Sequence, residues 1–247
     1  MAPRPRLPAA LRPPAAWIVA HWQLLAITAV IWLFWWTEAA WPFRMMVVLF
    51  HELSHGAAAL ITGGEIVTFE LSSREGGVIW TRGGSGFWIA SAGYLGSLLT
   101  GVALFAGAVR STWDRPILAG LALVIGGAAL FYTRDGFTLA YCGAVAVVLG
   151  AVALVLPALW SDLVLRVIGL SSMLYVPWDI YDDTIRPKPG GGMSDAAAIA
   201  AQSIGTEAIW GWLWIALAGL VILACLRWGL GPNSNLFGWP RRAFARR

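Results

Sequence analysis

Long apolar runs separated by short polar segments dominate the chain, and several reach the roughly 20 residues that a helix needs to cross a bilayer core. Because an open sheet cannot satisfy its edges in lipid, these runs predict helices and not strands. The predicted spans are 17–36, 42–61, 87–109, 116–132, 137–156, 159–179 or beyond, and 209–230. The expected fold is therefore an all-α polytopic membrane protein with about seven transmembrane helices.

One segment between the second and third spans breaks the helical pattern. From 65 to 71 the residues alternate with a period of two, with Val67, Phe69 and Leu71 on one face. A turn signal, Glu75-Gly-Gly, follows before β-branched and aromatic residues resume. The pattern predicts a small β-hairpin that is too polar to span. It would either cap the bundle or offer a free edge to an extended substrate strand.

Composition supports a membrane protein and excludes an ordinary soluble domain. Hydrophobic residues make up 59% of the chain and charged residues 12%, whereas globular domains carry roughly 25% charged residues. Many of the 16 tryptophans fall near predicted span ends, where the amphipathic ring prefers the interface. These are Trp41, Trp80, Trp88, Trp113, Trp160 and Trp178. We expect an integral, multi-pass membrane protein.

The formal net charge of +4 comes from arginines concentrated at both ends of the chain. Such ends meet anionic lipid headgroups, so the charge calls for no nucleic acid. We expect a disordered basic N-terminus at 1–16, a transmembrane domain at 17–230 and a basic tail at 231–247. The arginines favour a cytoplasmic position for both ends of the chain. Seven spans would place the two ends on opposite sides of the membrane, so the orientation stays open. The oligomeric state is open too.

The second span contains His51-Glu-Leu-Ser-His55, a His-Glu-x-x-His motif. Two imidazoles spaced i, i+4 lie on one helical face and can reach one zinc ion. Glu52 lies beside them, where a carboxylate can accept a proton from an attacking water. The chain has only three histidines, and two of them are in this motif. An ionisable cluster in an apolar helix needs a functional reason, so we predict a zinc site.

Catalytic zinc usually takes three protein ligands, so the motif leaves one ligand to be found. The remaining histidine, His21, lies in the first span and is predicted to be a packing residue. The third ligand is therefore predicted to be a carboxylate. Asp179 is favoured because it ends an apolar stretch, with Asp182 or Asp183 as a supporting partner or alternative ligand. Asp135 is the other alternative, although a loop ion pair with its neighbouring arginine explains it more simply.

Several segments together resemble the site-2 protease family of intramembrane zinc metalloproteases, in particular its small bacterial M50B-like branch. Phe50-His-Glu-Leu-Ser-His-Gly56 resembles the zinc helix of that family. Ser91-Ala-Gly-Tyr-Leu-Gly-Ser97 resembles its Gly-Pro-x-x-Asn element. The segment 174–183 resembles the Asp-bearing segment of the branch, and Ser194-Asp-Ala is also similar to it. The resemblance covers about residues 43–215.

The resemblance implies that Gly93 and Ser97 position the substrate. The chain departs from the family pattern at Tyr94, where the family has Pro, and at Ser97, where it has Asn. The Asp-Gly pair of the family's third ligand is absent at Asp179 and occurs only at 135–136.

The expected activity is that of a zinc metalloendopeptidase acting on membrane-embedded or membrane-proximal proteins or peptides. His51, His55 and Asp179 would hold Zn²⁺, and Glu52 would be the catalytic base. A non-catalytic membrane subunit that keeps the fold, and a metal transporter, are the alternatives. The other spans lack ionisable residues at their middles, which disfavours a transporter.

Overall fold

The structure is a computed structural model that describes residues 13–186 and 193–236. Most of the predicted basic N-terminus therefore lies outside the described residues, as does most of the predicted basic tail. The Pro- and Gly-rich segment 187–192 also lies outside them.

The described residues form eight α-helices and one antiparallel hairpin. The helices are α1 (Pro13–Phe34), α2 (Trp41–Ile61), α3 (Gly86–Arg110), α4 (Asp114–Tyr132), α5 (Gly136–Val155), α6 (Ala158–Thr184), α7 (Asp195–Ala200) and α8 (Glu207–Ala224). The strands are β1 (Glu65–Ser72) and β2 (Gly76–Arg82). A 3₁₀ turn at Glu38–Ala40 precedes α2, and a π turn at Cys225–Gly229 follows α8.

Among the described helices, six are long and apolar enough to cross a membrane, namely α1, α3, α4, α5, α6 and α8. The remaining predicted span, α2, has 21 residues and is also of spanning length. It is less apolar because His51, Glu52 and His55 lower its hydropathy. The predicted fold class, a helical polytopic membrane protein with a small hairpin after the second span, is confirmed. The chain is an integral multi-pass membrane protein.

Helices α2, α3 and α6 form the interior of the bundle. Small residues let α3 and α6 approach closely, because a Cβ on Gly169 would lie 2.7 Å from the carbonyl oxygen of Gly101. In the same contact the Ser172 hydroxyl donates to the carbonyl oxygen of Ser97 at 2.8 Å. Such close helix pairs are common in membranes, where packing replaces the hydrophobic driving force. The interior helices therefore hold a fixed frame for side chains on α2.

The hairpin lies beside α2, with β1 on the side of α4 and α5. The strands pair in antiparallel register, from Glu65 opposite Arg82 to Ser72 opposite Gly76. The alternation places Val67 on one face with Phe69 and Leu71, but those two are buried whereas Val67 is half exposed. The prediction for Val67 was wrong because an irregularity between Ile66 and Thr68 shifts the register and reverses the alternation.

The start of the C-terminal segment folds back onto α1. Ser234 shares a 2.7 Å hydrogen bond with Nδ1 of His21, and its backbone N–H donates to the carbonyl oxygen of Ala20 at 3.0 Å. Arg166 on α6 donates to the carbonyl oxygen of Ser234 and also pairs with buried Asp162 at 2.6 Å. His21 is 2% exposed, consistent with its predicted packing role.

Candidate metal centre

The two motif histidines point into one site, together with an aspartate from a distant part of the chain. The rings of His51 and His55, on successive turns of α2, meet edge-to-face with their centroids 4.6 Å apart. Oδ2 of Asp195 lies 3.1 Å from Nε2 of His51 and 3.2 Å from Nε2 of His55. Within the described part of the chain, these three form the group of His, Cys, Asp and Glu side chains arranged to hold a metal ion.

The spacing of these atoms suits a zinc ion. Two ligand atoms on a tetrahedral zinc with bonds of about 2.0–2.1 Å are separated by about 3.3 Å. The measured nitrogen-to-oxygen separations of 3.1 and 3.2 Å are close to that value. Two imidazole nitrogens and one carboxylate oxygen are also a donor set that zinc prefers in catalytic sites. The residues therefore fit the ion that the motif predicts.

Hydrogen bonding fixes the orientation of His55. Its Nδ1 lies 2.6 Å from the carbonyl oxygen of Ile89 on α3. A carbonyl can only accept, so Nδ1 carries the proton and Nε2 presents a lone pair towards Asp195. Oδ2 of Asp195 is buried and makes no hydrogen bond to the described residues. Lone pairs that converge away from water favour a bound cation.

The absence of a side chain at Gly93 leaves room for the metal centre. Gly93 lies on α3, and a Cβ there would be 2.5 Å from Nε2 of His51 and 2.6 Å from Oδ2 of Asp195. A methyl group would therefore occupy the space between two candidate ligand atoms. Gly93 was predicted to position the substrate, and its contacts here are with the metal centre itself.

Asp195 reaches the histidines because the short helix α7 is anchored on both sides of it. The preceding residue, Ser194, caps α7 by accepting a hydrogen bond from the Ala197 N–H, and it also contacts Glu207 of α8 at 2.5 Å. On the inner face of α7, Ala196 and Ile199 are fully buried. Serine is among the residues preferred at a helix N-cap, so the local sequence suits this start of α7.

The structure does not bring Asp179, which the sequence favoured as the third ligand, to the two histidines. Asp179 lines the same cavity, but the side chain beside its carboxylate is Tyr175, one turn earlier on α6. Asp195 occupies the position beside the histidines instead. The physical reason is that α7 packs against α3 and α8, which brings Asp195 to the histidines of α2 through contacts that no local pattern encodes.

Asp183 and Asp182, near the end of α6, also have partners of their own. The hydroxyl of Tyr94 donates to Oδ2 of Asp183 at 2.8 Å. Asp182 lies 3.3 Å from Nη1 of Arg186, one turn later. Both carboxylates line the cavity, but neither belongs to the three-residue group of His51, His55 and Asp195.

Asp135, the remaining alternative ligand, has a structural role at the start of α5. Its carboxylate accepts hydrogen bonds from the backbone N–H and the hydroxyl of Thr138, at 2.7 and 2.8 Å. These hydrogen bonds hold the pKa of Asp135 below its ordinary value. Arg134 donates to the carbonyl oxygen of Thr133. The predicted ion pair between Arg134 and Asp135 is therefore replaced by an N-cap.

Glu52 lies between α2 and the hairpin. It is 6% exposed and lines the cavity beside the histidines. The backbone N–H of Ile79 on β2 lies near its carboxylate. A Cβ on Gly77 would be 2.6 Å from Cγ of Glu52 and 2.9 Å from its Oε1, so only glycine fits there without displacement. Strand β2 thus fixes where the carboxylate lies.

Two further residues on α3 were singled out by the sequence. Ser97 is 1% exposed, and its hydroxyl donates to the carbonyl oxygen of Tyr94 at 3.0 Å. It belongs to the contact of α3 with α6 and does not line the cavity. Tyr94, which stands where the family has Pro, packs edge-to-face on His51 with ring centroids 4.7 Å apart.

The site opens into a cavity of about 1180 Å³. Residues 74–79 of the hairpin form one wall, and the ends of α6 and α7 form others. The cavity contains the metal centre, Glu52 and several further carboxylates. Its size accommodates a stretch of polypeptide.

Sequence reasoning missed two features of this site. Asp195 carried a signal, the Ser194-Asp-Ala segment that resembles the family's Asp-bearing segment. Gly77 carried only a turn signal, because its contact with Glu52 depends on how the hairpin lies against α2.

A family model matches most of the chain. The family model described as Peptidase M50B-like matches residues 24–225, which include the motif, the hairpin and Asp195. Searches of curated proteins and of solved structures found no match. At the level of the family, the match supports a membrane metallopeptidase of the site-2 protease type. Because the match covers most of the sequence, the chain belongs to the Peptidase M50B-like family.

Proposed function

We propose that this protein is a zinc-dependent endopeptidase that hydrolyses peptide bonds within or near the membrane. The observation that carries the proposal is the convergence of His51, His55 and Asp195 beside Glu52 in one cavity. In this proposal the two imidazoles and the Asp195 carboxylate hold Zn²⁺. The ion supplies Lewis acidity, which polarises a carbonyl and makes water nucleophilic near neutral pH.

The residues of the chain transfer the proton and orient the groups that bind the ion. Glu52 takes the proton of the attacking water and delivers it to the leaving amine. Its burial beside Ile79 keeps the carboxylate at a fixed distance from the histidines. Ile89 keeps His55 in the tautomer that ligates through Nε2.

We propose that the substrate is an extended segment of a membrane protein or of a membrane-proximal peptide. The described sheet has two strands, so β2 has a second edge with no strand partner there. Residues 76–79 of β2 line the cavity. A helical substrate must unwind before its peptide bond is accessible, and pairing with a strand edge would hold it extended.

A non-catalytic subunit with the same fold is the competing function, and Glu52→Gln separates the two. The variant keeps the shape of the side chain and removes the base. For a protease, cleavage of a single-span membrane protein in detergent should fall by about 10²–10⁴-fold. Zinc content, measured by elemental analysis, should stay at the wild-type level.

Glu70→Gln is the matched control, because Glu70 is an exposed carboxylate of β1 outside the cavity. This variant should cleave like the wild type. Equal cleavage by Glu52→Gln and the wild type would contradict the proposed role of Glu52. A zinc-loaded wild type that cleaves no membrane protein would favour the subunit.

A further inference from the structure

The tip of the hairpin has an unusual backbone conformation. Glu75 has a φ of 62°, in the left-handed region that favours glycine, although Gly76 and Gly77 follow it directly. A non-glycine residue in this region stores strain that the surrounding contacts must offset. The Glu75 side chain therefore makes a contact that glycine could not make.

That contact is a paired, two-point interaction with Arg44 on α2. Nε of Arg44 donates to Oε2 of Glu75 at 2.8 Å, and Nη2 donates to Oε1 at 2.7 Å. The two side chains are 10% and 28% exposed, so water screens the pair only in part. Paired Arg–carboxylate contacts fix geometry as well as adding energy.

Arg44 also holds the connection that precedes α2. Its Nη1 donates to the carbonyl oxygen of Trp35 and, at 2.9 Å, to that of Thr37. Arg44 lies seven residues before His51, which is about two helical turns along the same face. One side chain thus ties the hairpin tip and the α1–α2 connection to the helix that carries the metal centre.

The strand that starts at this tip is the one that contacts the base. Gly77, two residues after Glu75, lies against Glu52, and the backbone N–H of Ile79 lies near the same carboxylate. The β1 side of the hairpin has separate anchors, since Leu71 N–H donates to the Thr138 hydroxyl at 2.8 Å. The Arg44–Glu75 pair therefore lies at the end of the hairpin from which the part of β2 over Glu52 begins.

We infer that Arg44 and Glu75 are positioning residues, which form a latch that keeps β2 against Glu52 and so sets the geometry of the base. The inference rests on the proposed function for its catalytic part. Neither residue touches the candidate ligands, so the latch acts through Gly77 and Ile79. A displacement of about 1 Å at a catalytic group can cost about 10²-fold in rate.

Glu75→Gly is the sharpest test, because glycine suits the positive φ while removing the carboxylate. If Glu75 only shapes the turn, this variant should fold and cleave at least as well as the wild type. If the latch positions Glu52, kcat should fall by about 10- to 100-fold with a smaller change in KM. Zinc content should stay unchanged.

Arg44→Gln combined with Glu75→Gly tests whether the two residues act together. The double variant should lose no more kcat than the more damaging single variant, because either change already opens the latch. Arg82→Gln is the matched control. It breaks the Arg82–Glu65 pair at the other end of the same hairpin, where the side chains are 77% and 60% exposed. It should leave kcat unchanged.

Amide hydrogen exchange at residues 76–79 tests the latch without relying on proteolytic activity. Exchange there should be faster in Glu75→Gly than in the wild type, and unchanged in Arg82→Gln. Wild-type exchange and wild-type kcat in Glu75→Gly would overturn the inference while leaving the proposed function intact. Faster exchange in a protein whose wild type cleaves nothing would support the latch and contradict the proposed function.

Discussion

His55 donates its Nδ1 proton to the carbonyl oxygen of Ile89 at 2.6 Å, and this contact turns Nε2 towards Asp195. A carbonyl oxygen can only accept a hydrogen bond, so Nδ1 of His55 must carry the proton. The tautomer of His55 is therefore set by Ile89 on α3. The metal-binding orientation of a residue on α2 is thus determined by its neighbour in the bundle.

We expect one tightly bound zinc ion per chain, lost when either motif histidine is removed. His55→Ala removes a ligand atom, and zinc content should fall to less than about a tenth of the wild-type value. Elemental analysis after gel filtration in detergent measures it. His21→Ala is the control, because His21 lies on α1, where it contacts Ser234 and not the metal centre. Equal zinc in all three proteins would contradict the site.

We expect Asp195→Ala to lose zinc as severely as His55→Ala, because its carboxylate oxygen lies within 3.2 Å of both imidazole nitrogens. Asp179→Ala should retain most of the zinc, since the Asp179 carboxylate lies beside the hydroxyl of Tyr175 and not beside the histidines. Asp135→Ala should also retain it, because that carboxylate caps α5. Zinc loss in Asp179→Ala with retention in Asp195→Ala would instead favour the ligand set expected from the sequence.

We expect Gly93→Ala to abolish zinc binding although the substitution adds only a methyl group. The new Cβ would lie 2.5 Å from Nε2 of His51, too close for the site to keep its arrangement. Gly120→Ala on α4 is the control, since its Cβ would have no atom within 4 Å. That variant should keep its zinc and become slightly more stable, as alanine favours helices. A zinc-replete Gly93→Ala protein would show that the site can widen.

We expect Arg166→Ala to destabilise the protein without changing the metal centre directly. Its partner Asp162 is fully buried, and removing one member of a buried ion pair costs about 3–5 kcal/mol. Unfolding in detergent followed by tryptophan fluorescence measures the change in the free energy of unfolding. The variant protein that remains folded should bind zinc like the wild type. A stability equal to the wild type would mean that water reaches Asp162.

The features that depend on local pattern could be predicted from the sequence. Helix length and hydropathy predicted the membrane spans. The spacing of His51, Glu52 and His55 predicted the face of α2 that carries the metal centre. Features that depend on contacts between distant segments could not be predicted in this way. Asp195 follows a polar loop on a six-residue helix, so nothing local marks it as a neighbour of His55.

For Asp179 and Asp135 the sequence did contain a local sign of another neighbour. Tyr175 stands four residues before Asp179, a spacing that places a hydroxyl beside the carboxylate on one helical face. Asp135 stands three residues before Thr138, which is the spacing of an N-cap. The reversal at Val67 had no such sign, because a bulge depends on the partner strand.

The position of Asp195 on α7 has a consequence for how the protein is made. The two histidines belong to α2, which leaves the ribosome long before α7 does. A nascent chain that has inserted α1 to α6 therefore holds two candidate ligands and lacks the third. The site becomes complete only when α7 docks against α3 and α8, so tight metal retention would report that membrane insertion has reached its final helices.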